Sequence, residues 1–184
     1  MLYFIFVNFC FTGSQPSSTY FSNPLPVKQI QDGELIHEVA EILDDVSKSE
    51  IDDVQFAGNS LINLYNLVRD YGHLYLPVTI HSRGIDDFFC KIFNLQHQSL
   101  LIQHKTYAYF ILEFSDEGLS AREIFNGIEE AGIWIGTIDG IMISEVVKTA
   151  IKVTSGKKYS LLNFNCNDFV YQMKINLRYI SEYL

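Results

Sequence analysis

Apolar positions recur with a helical period towards both ends of the chain and with a strand-like character in the middle. Leu35, Ile36, Val39, Leu43 and Val46 share one face of a helix predicted from Gly33 to about Val46, with Asp32 as its cap and an acidic opposite face. Asn59 opens a second short helix, with Leu61, Leu64, Tyr65 and Val68 inward and Gly72 at its end. From Leu74 the run Leu-Tyr-Leu-Pro-Val-Thr-Ile is β-branched and aromatic. Pro77 demotes it to an edge position or a bulge, and Ser82-Arg83-Gly84 reads as a turn. Gln98 to Gln103 and Tyr107 to Phe114 read as the two strands of a hairpin. Ser120 is placed to cap a helix through Gly127, and Gly132, Gly136 and Gly140 punctuate an Ile-rich run around Trp134 that reads as a close-packed strand or loop. Ser144 caps a further helix with Val146, Val147, Ala150 and Ile151 inward and Gly156 at its end.

The last helical face is the one that carries chemistry. Cys166, Phe169, Val170, Met173 and Leu177 recur at i, i+3, i+4, i+7 and i+11 on a helix running towards Tyr179, with Asn165 or Asn163 as its N-cap. Cys166 therefore falls in the first turn. There the helix dipole and unpaired N–H groups favour a thiolate over a thiol of ordinary pKa ~8.5, and the same N–H groups are suited to hold an oxyanion. The competing reading is inert packing, since free cysteine is among the most buried residue types.

Tyr159-x-Leu161-x-x-x-Asn165-Cys166-Asn167-x-Phe169 resembles the cysteine motif of the PPPDE family, permuted papain-fold thiol peptidases that act on ubiquitin- or SUMO-type conjugates. It is also similar to lecithin retinol acyltransferase-like and NlpC-like proteins. The acyltransferases usually carry an acidic residue and then histidine after the cysteine, whereas Asn167 and Asp168 stand here, which favours the first family. In both groups the catalytic histidine precedes the cysteine. The resemblance implies an α+β, permuted papain-like fold, with a small, mainly antiparallel sheet packed against the helix that carries the cysteine at its N-terminus.

A neutral-pH thiol wants a general base, and histidine is the usual one. His37 and His73 lie on or just after helices, His81 ends the first strand, and His104 falls in the hairpin turn. His97 opens the first hairpin strand and is preferred, with His81 and His104 as the alternatives. The order of strands also resembles the PPPDE pattern of a strand, a loop and a His-x-Ser-apolar strand. The resemblance covers about 100 residues and leaves residues 1–70 outside. A three-residue turn over residues 104–106 would pair 103 with 107 and set Glu113 opposite His97, as an orienting carboxylate or as a plain cross-strand pair. Asn165 is a second candidate orienting residue.

Composition narrows the rest. The 184 residues are 48% hydrophobic and 14% aromatic, enough for one sizeable core. Residues 1–30 form an extension, 31–72 the N-terminal helices and 73–184 the expected catalytic core. A net charge of −9, from 22 acidic against 13 basic residues, repels phosphate backbones, so no nucleic-acid partner is expected. Cys10, Cys90 and Cys166 make neither a disulfide framework nor a zinc spacing, and no metal or cofactor is expected. His37, among Glu34, Glu38 and Glu41, reads as a surface histidine, and the acidic run from Asp44 to Asp53 lacks an EF-hand pattern. Residues 2–12 suit a signal-peptide core or a buried strand but are too short to span a bilayer, which takes ~20 helical residues. A cytoplasmic location is the expectation and secretion the alternative. Residues 14–29 carry a Ser/Pro linker signature.

The expected activity is that of a Cys-His isopeptidase on a ubiquitin-like protein conjugate. The alternatives are an acyltransferase or phospholipase acting on an acyl-lipid, and a catalytically inactive interaction domain on the same scaffold. Deletion of residues 1–30 should leave a protein that melts cooperatively, because the linker lacks periodicity; a broad, non-cooperative calorimetric transition would show that the aromatic N-terminus belongs to the core.

Overall fold

The computed structural model describes residues 32–85, 96–138 and 140–182, so the N-terminal segment, the linker, Cys10 and Cys90 lie outside the described residues. The fold is α+β. Five strands, β1 (Val78–Gly84), β2 (Gln96–Lys105), β3 (Ala108–Ser115), β4 (Gly118–Phe125) and β5 (Ile133–Ile138), form one antiparallel sheet in the order β4-β3-β2-β1-β5. The helices are α1 (Asp32–Ile42), α2 (Lys48–Asp52), α3 (Ser60–Tyr71), α4 (Ile143–Thr154) and α5 (Cys166–Glu182).

Side chains alternate across the sheet, and the two faces have different fates. Leu100 and Ile102 of β2 and Leu112 and Phe114 of β3 join apolar residues from all five helices in one core cluster. Phe169, Val170, Met173 and Leu177 of α5 are all at most 2% exposed, and burying each such side chain contributes about 1.5–3 kcal/mol. On the other face Leu101, Ile111 and Ile124 form a smaller cluster with Ala131. Ala131 ends a 3-10 turn, Ile128–Ala131, in the segment that joins the two edge strands, so this connection crosses the face opposite the helices.

Several elements differ from expectation, each for a local reason. Pro77 directly precedes β1, so its missing N–H falls outside the ladder and β1 can lie inside the sheet rather than at an edge. Ser82-Arg83-Gly84 continues that strand, with Gly84 paired to Gln96, and His81 is mid-strand. Ser120 caps no helix: Asp116 and Glu117 form a tight turn that Gly118 completes at φ +105°, and Leu119 and Ala121 alternate inward along β4. The acidic helix stops at Ile42. Ser47 then starts α2 with a capping box, its hydroxyl accepting from the Glu50 N–H while the Glu50 carboxylate accepts from the Ser47 N–H. Met142, rather than Ser144, is the N-cap of α4.

The edge at β4 is closed by the chain between α2 and α3. Leu119 N–H donates to the Gln55 carbonyl (2.8 Å), Ala57 N–H to the Leu119 carbonyl (3.0 Å), and the Ala121 N–H to the Ser60 hydroxyl (3.0 Å). A Cβ on Gly118 would sit 2.1 Å from the Gln55 carbonyl oxygen, at a φ that L-residues rarely adopt. Gly118→Ala should therefore cost about 1–3 kcal/mol or more in urea unfolding, whereas Gly136→Ala, whose Cβ would meet nothing nearer than Ile80 Cδ1 at 3.8 Å, should be far milder.

Candidate active site

Helix α5 brings the thiol to the end of the sheet. Asn165 caps it: its Oδ1 accepts from the N–H groups of Asn167 (2.8 Å) and Asp168 (3.3 Å), and its own N–H donates to the Asp168 carboxylate (3.0 Å). The Asn165 amide nitrogen donates to the Leu161 carbonyl at 3.1 Å, so both polar ends of this side chain serve the helix and the preceding turn rather than the imidazole. The Phe169 N–H goes to the Asn165 carbonyl. Among the described residues this leaves, of the first turn, the Cys166 N–H as the donor at the helix mouth, next to its own sulfur. Sγ lies 3.9 Å from the Gln96 carbonyl oxygen, at the start of β2.

His97 is the second residue of β2 and interacts with the thiol, while its Nε2 lies 2.8 Å from Glu113 Oε2. With Nε2 taken by the carboxylate, Nδ1 is the ring nitrogen left for sulfur. The contact with Glu113 is made diagonally. Thr106 and Tyr107 form the turn, with a register shift between Gln103 and Lys105, and Leu100 pairs with Leu112. Continued to the strand end, that register sets Ser99 rather than His97 opposite Glu113. The shift from expectation is two residues, which preserves the face, and a glutamate is long enough to bridge a diagonal pair.

Two arginines complete the surroundings of Glu113. Arg83 Nη2 lies 3.3 Å from Oε2 and Arg122 Nε 3.5 Å from Oε1. Both also hold the crossing segment, Arg83 through the Glu130 carbonyl (2.9 Å) and Arg122 through the Glu130 carboxylate (2.8 Å). Neither arginine was legible as part of the site, because residues 82–84 read as a turn and 120–127 as a helix. Strand alternation through Gly84 would have put Arg83 on the face of His81.

The charges follow from these contacts. Burial alone would lower the His97 pKa, but hydrogen bonds and charge from Cys166 and Glu113 outweigh it and raise the imidazole to about 9. Burial would raise Glu113, yet His97, then Arg83 and Arg122, hold its carboxyl down at about 2. Burial also opposes a Cys166 thiolate. The hydrogen bond and charge of His97 overcome it, with the Gln98 N–H and the Tyr159 hydroxyl adding to a thiol pKa below its ordinary value. These shifts both favour passage of the thiol proton to the imidazole, with the carboxylate backing the charged ring.

The other histidines are engaged elsewhere or exposed. His81 Nδ1 donates to the Gly132 carbonyl (3.1 Å) and Nε2 faces the Thr79 hydroxyl (2.9 Å). His104 is not in the turn. Its side chain is 1% exposed and lies between Tyr71 and Phe110, each ring 4.8 Å away. Glu123 Oε1 is 3.0 Å from its Nε2 but out of line for a hydrogen bond, and burial lowers the imidazole pKa against the opposing pull of that carboxylate. His37 pairs with Glu41 on the surface, at 3.2 Å, and His73 is exposed. Among the described residues no group of three or more His, Cys, Asp or Glu side chains could hold a metal ion, and no helix is long and apolar enough to cross a membrane. Comparison of the chain with protein-family models, with curated proteins and with solved structures finds no match in any of the three.

The partly buried His97–Glu113 pair links stability to pH. Glu113, depressed on folding from 4.5 to about 2, stabilises fully above 4.5 and loses that contribution as pH falls towards 2. His97, raised from 6.5 to about 9, stabilises fully below 6.5 and loses its contribution as pH rises through 9. Urea unfolding across pH should show a maximum between these windows with a decline of a few kcal/mol on each side. Glu113→Gln should flatten the acid arm and shrink the alkaline one; an unchanged profile would separate the carboxylate from the imidazole.

Proposed function

We propose that this chain is a cysteine-dependent hydrolase on a permuted papain-like fold, a PPPDE-type isopeptidase that releases ubiquitin-like modifiers from protein conjugates. The observation that carries the reading is the largely buried Cys166–His97–Glu113 array at a helix N-terminus, where His97 touches both the thiol and, at 2.8 Å, the carboxylate. Cys166 Sγ attacks the carbonyl carbon of the scissile amide, and the developing oxyanion turns towards the Cys166 N–H. The His97 imidazolium gives its proton to the departing amine as the C–N bond breaks. The neutral ring then takes a proton from water, whose oxygen attacks the thioester, and returns that proton to sulfur as the acid leaves. Glu113 remains ionised throughout and keeps the ring oriented.

A non-catalytic interaction domain is the second reading, and the observation favouring it is that Cys166 is only 3% exposed. Thiol labelling separates the two. An electrophilic ubiquitin- or SUMO-type probe should modify Cys166 and nothing in Cys166→Ala, and iodoacetamide should alkylate Cys166 faster than Cys90 at pH 7. His97→Ala should slow probe capture by roughly 100- to 10,000-fold, with His81→Ala and His104→Ala far less affected at the thiol. A folded protein that resists every probe and alkylates at a rate indifferent to His97 supports the interaction domain.

A further inference from the structure

The two edges of the sheet are treated differently. At β4 the backbone is occupied by residues 55–60, and Asn63 Nδ2 adds a hydrogen bond to the Ala121 carbonyl at 2.7 Å. At β5 the outward side has no backbone partner among the described residues. Its sequence, Ile-Trp-Ile-Gly-Thr-Ile, has none of the lysines or prolines that natural edges use against unwanted pairing. Ile133, Trp134 and Ile135 are 71%, 63% and 48% exposed, a run of large apolar side chains on an unpaired strand. This end of β5 is also the site end: Trp134 pairs with His81 and Ile133 with Ser82, while His81 pairs with Ser99 and Arg83 with His97.

We infer that β5 is the docking edge for the acyl substrate, which adds an extended, β-branched segment to the sheet beside Ile133–Ile138 and passes its tail to Cys166. This rests on the hydrolase reading above and specifies how its substrate is held. Neighbouring strands lie about 4.8 Å apart, so a strand added outside β5 runs about 15 Å from β2, whose first residues flank the thiol. Extended residues advance about 3.3 Å each, so four or five between the docked segment and the scissile bond close that distance. Main-chain hydrogen bonds to β5 give such a segment its affinity, and Ile133, Trp134 and Ile135 select apolar side chains on it. A neutral or basic segment suits a chain of net charge −9.

Trp134 is the sole tryptophan, so its emission reports the edge directly. The full chain carrying Cys166→Ala is titrated with a ten-residue peptide of alternating Val and Thr, ended by lysines, and with the same peptide interrupted by two prolines. The first should give a saturable blue shift and slow amide exchange over residues 133–138, and the second neither. Introduced into the Cys166→Ala chain, Ile135→Pro and Ile133→Ser should each weaken the first peptide by about tenfold or more, a loss large enough to read unambiguously, while urea unfolding stays cooperative. No shift at millimolar peptide overturns the docking edge, and the hydrolase reading survives that result if alkylation still depends on His97. Alkylation that ignores His97 overturns the hydrolase reading, and with it the assignment of this edge to an acyl substrate. A concentration-dependent dimer that buries Trp134 without peptide, or a red shift on deleting residues 1–30, gives the edge to a second copy or to the chain's own N-terminus and likewise overturns the proposal.

Discussion

Glu113 is an ionised carboxylate with only 12% of its side chain exposed, and the arrangement around it follows from the need to compensate that charge. Removing a carboxylate from water costs several kcal/mol unless close partners of opposite sign replace the solvent. The sheet supplies three, His97, Arg83 and Arg122, one from each of three strands. Cys166 and Glu113 together raise the pKa of His97 against burial, and His97 in turn lowers that of the thiol. A change at the carboxylate is therefore felt at the sulfur, although no residue but His97 lies between them.

The second constraint is rigid support for that pair. Four apolar residues of α5 are buried to within 2%, which sets the height and rotation of the helix on the sheet and hence the position of its first residue. Asn165 uses its whole side chain to stop the helix at Cys166. On the opposite face the crossing segment is tied down by Glu130, which engages both arginines, and by the Gly132 carbonyl on His81. A Cβ at Gly132 would come within 2.3 Å of the Ser82 carbonyl oxygen, so only glycine lets this segment lie so close to β1. The site is thus held from both sides of the sheet, by packing beneath and by charge above.

Local signals carried much of this in the sequence. The asparagine before Cys166 and the apolar period after it are short-range features, and they placed the thiol at a helix start without any knowledge of the sheet. The alternation from Gln98 onward placed His97 and Glu113 on one face, and a hairpin can slip by two residues without losing that relation. What tertiary structure alone decided was non-local. Pro77 looked like an edge signal, but strand order put β1 between β2 and β5 because the proline falls just outside the ladder. Ser120 looked like a helix cap, but the tight turn ending at Gly118 and the pairing of β4 with β3 overrode it. His104 looked solvent-exposed, until Tyr71 from a distant helix closed over it. The two arginines that neutralise Glu113 stand 30 residues before it and 9 after, on strands whose neighbours no local pattern specifies. Residue type and period determine which side chains share a face; only the order and register of the strands determine which of them meet.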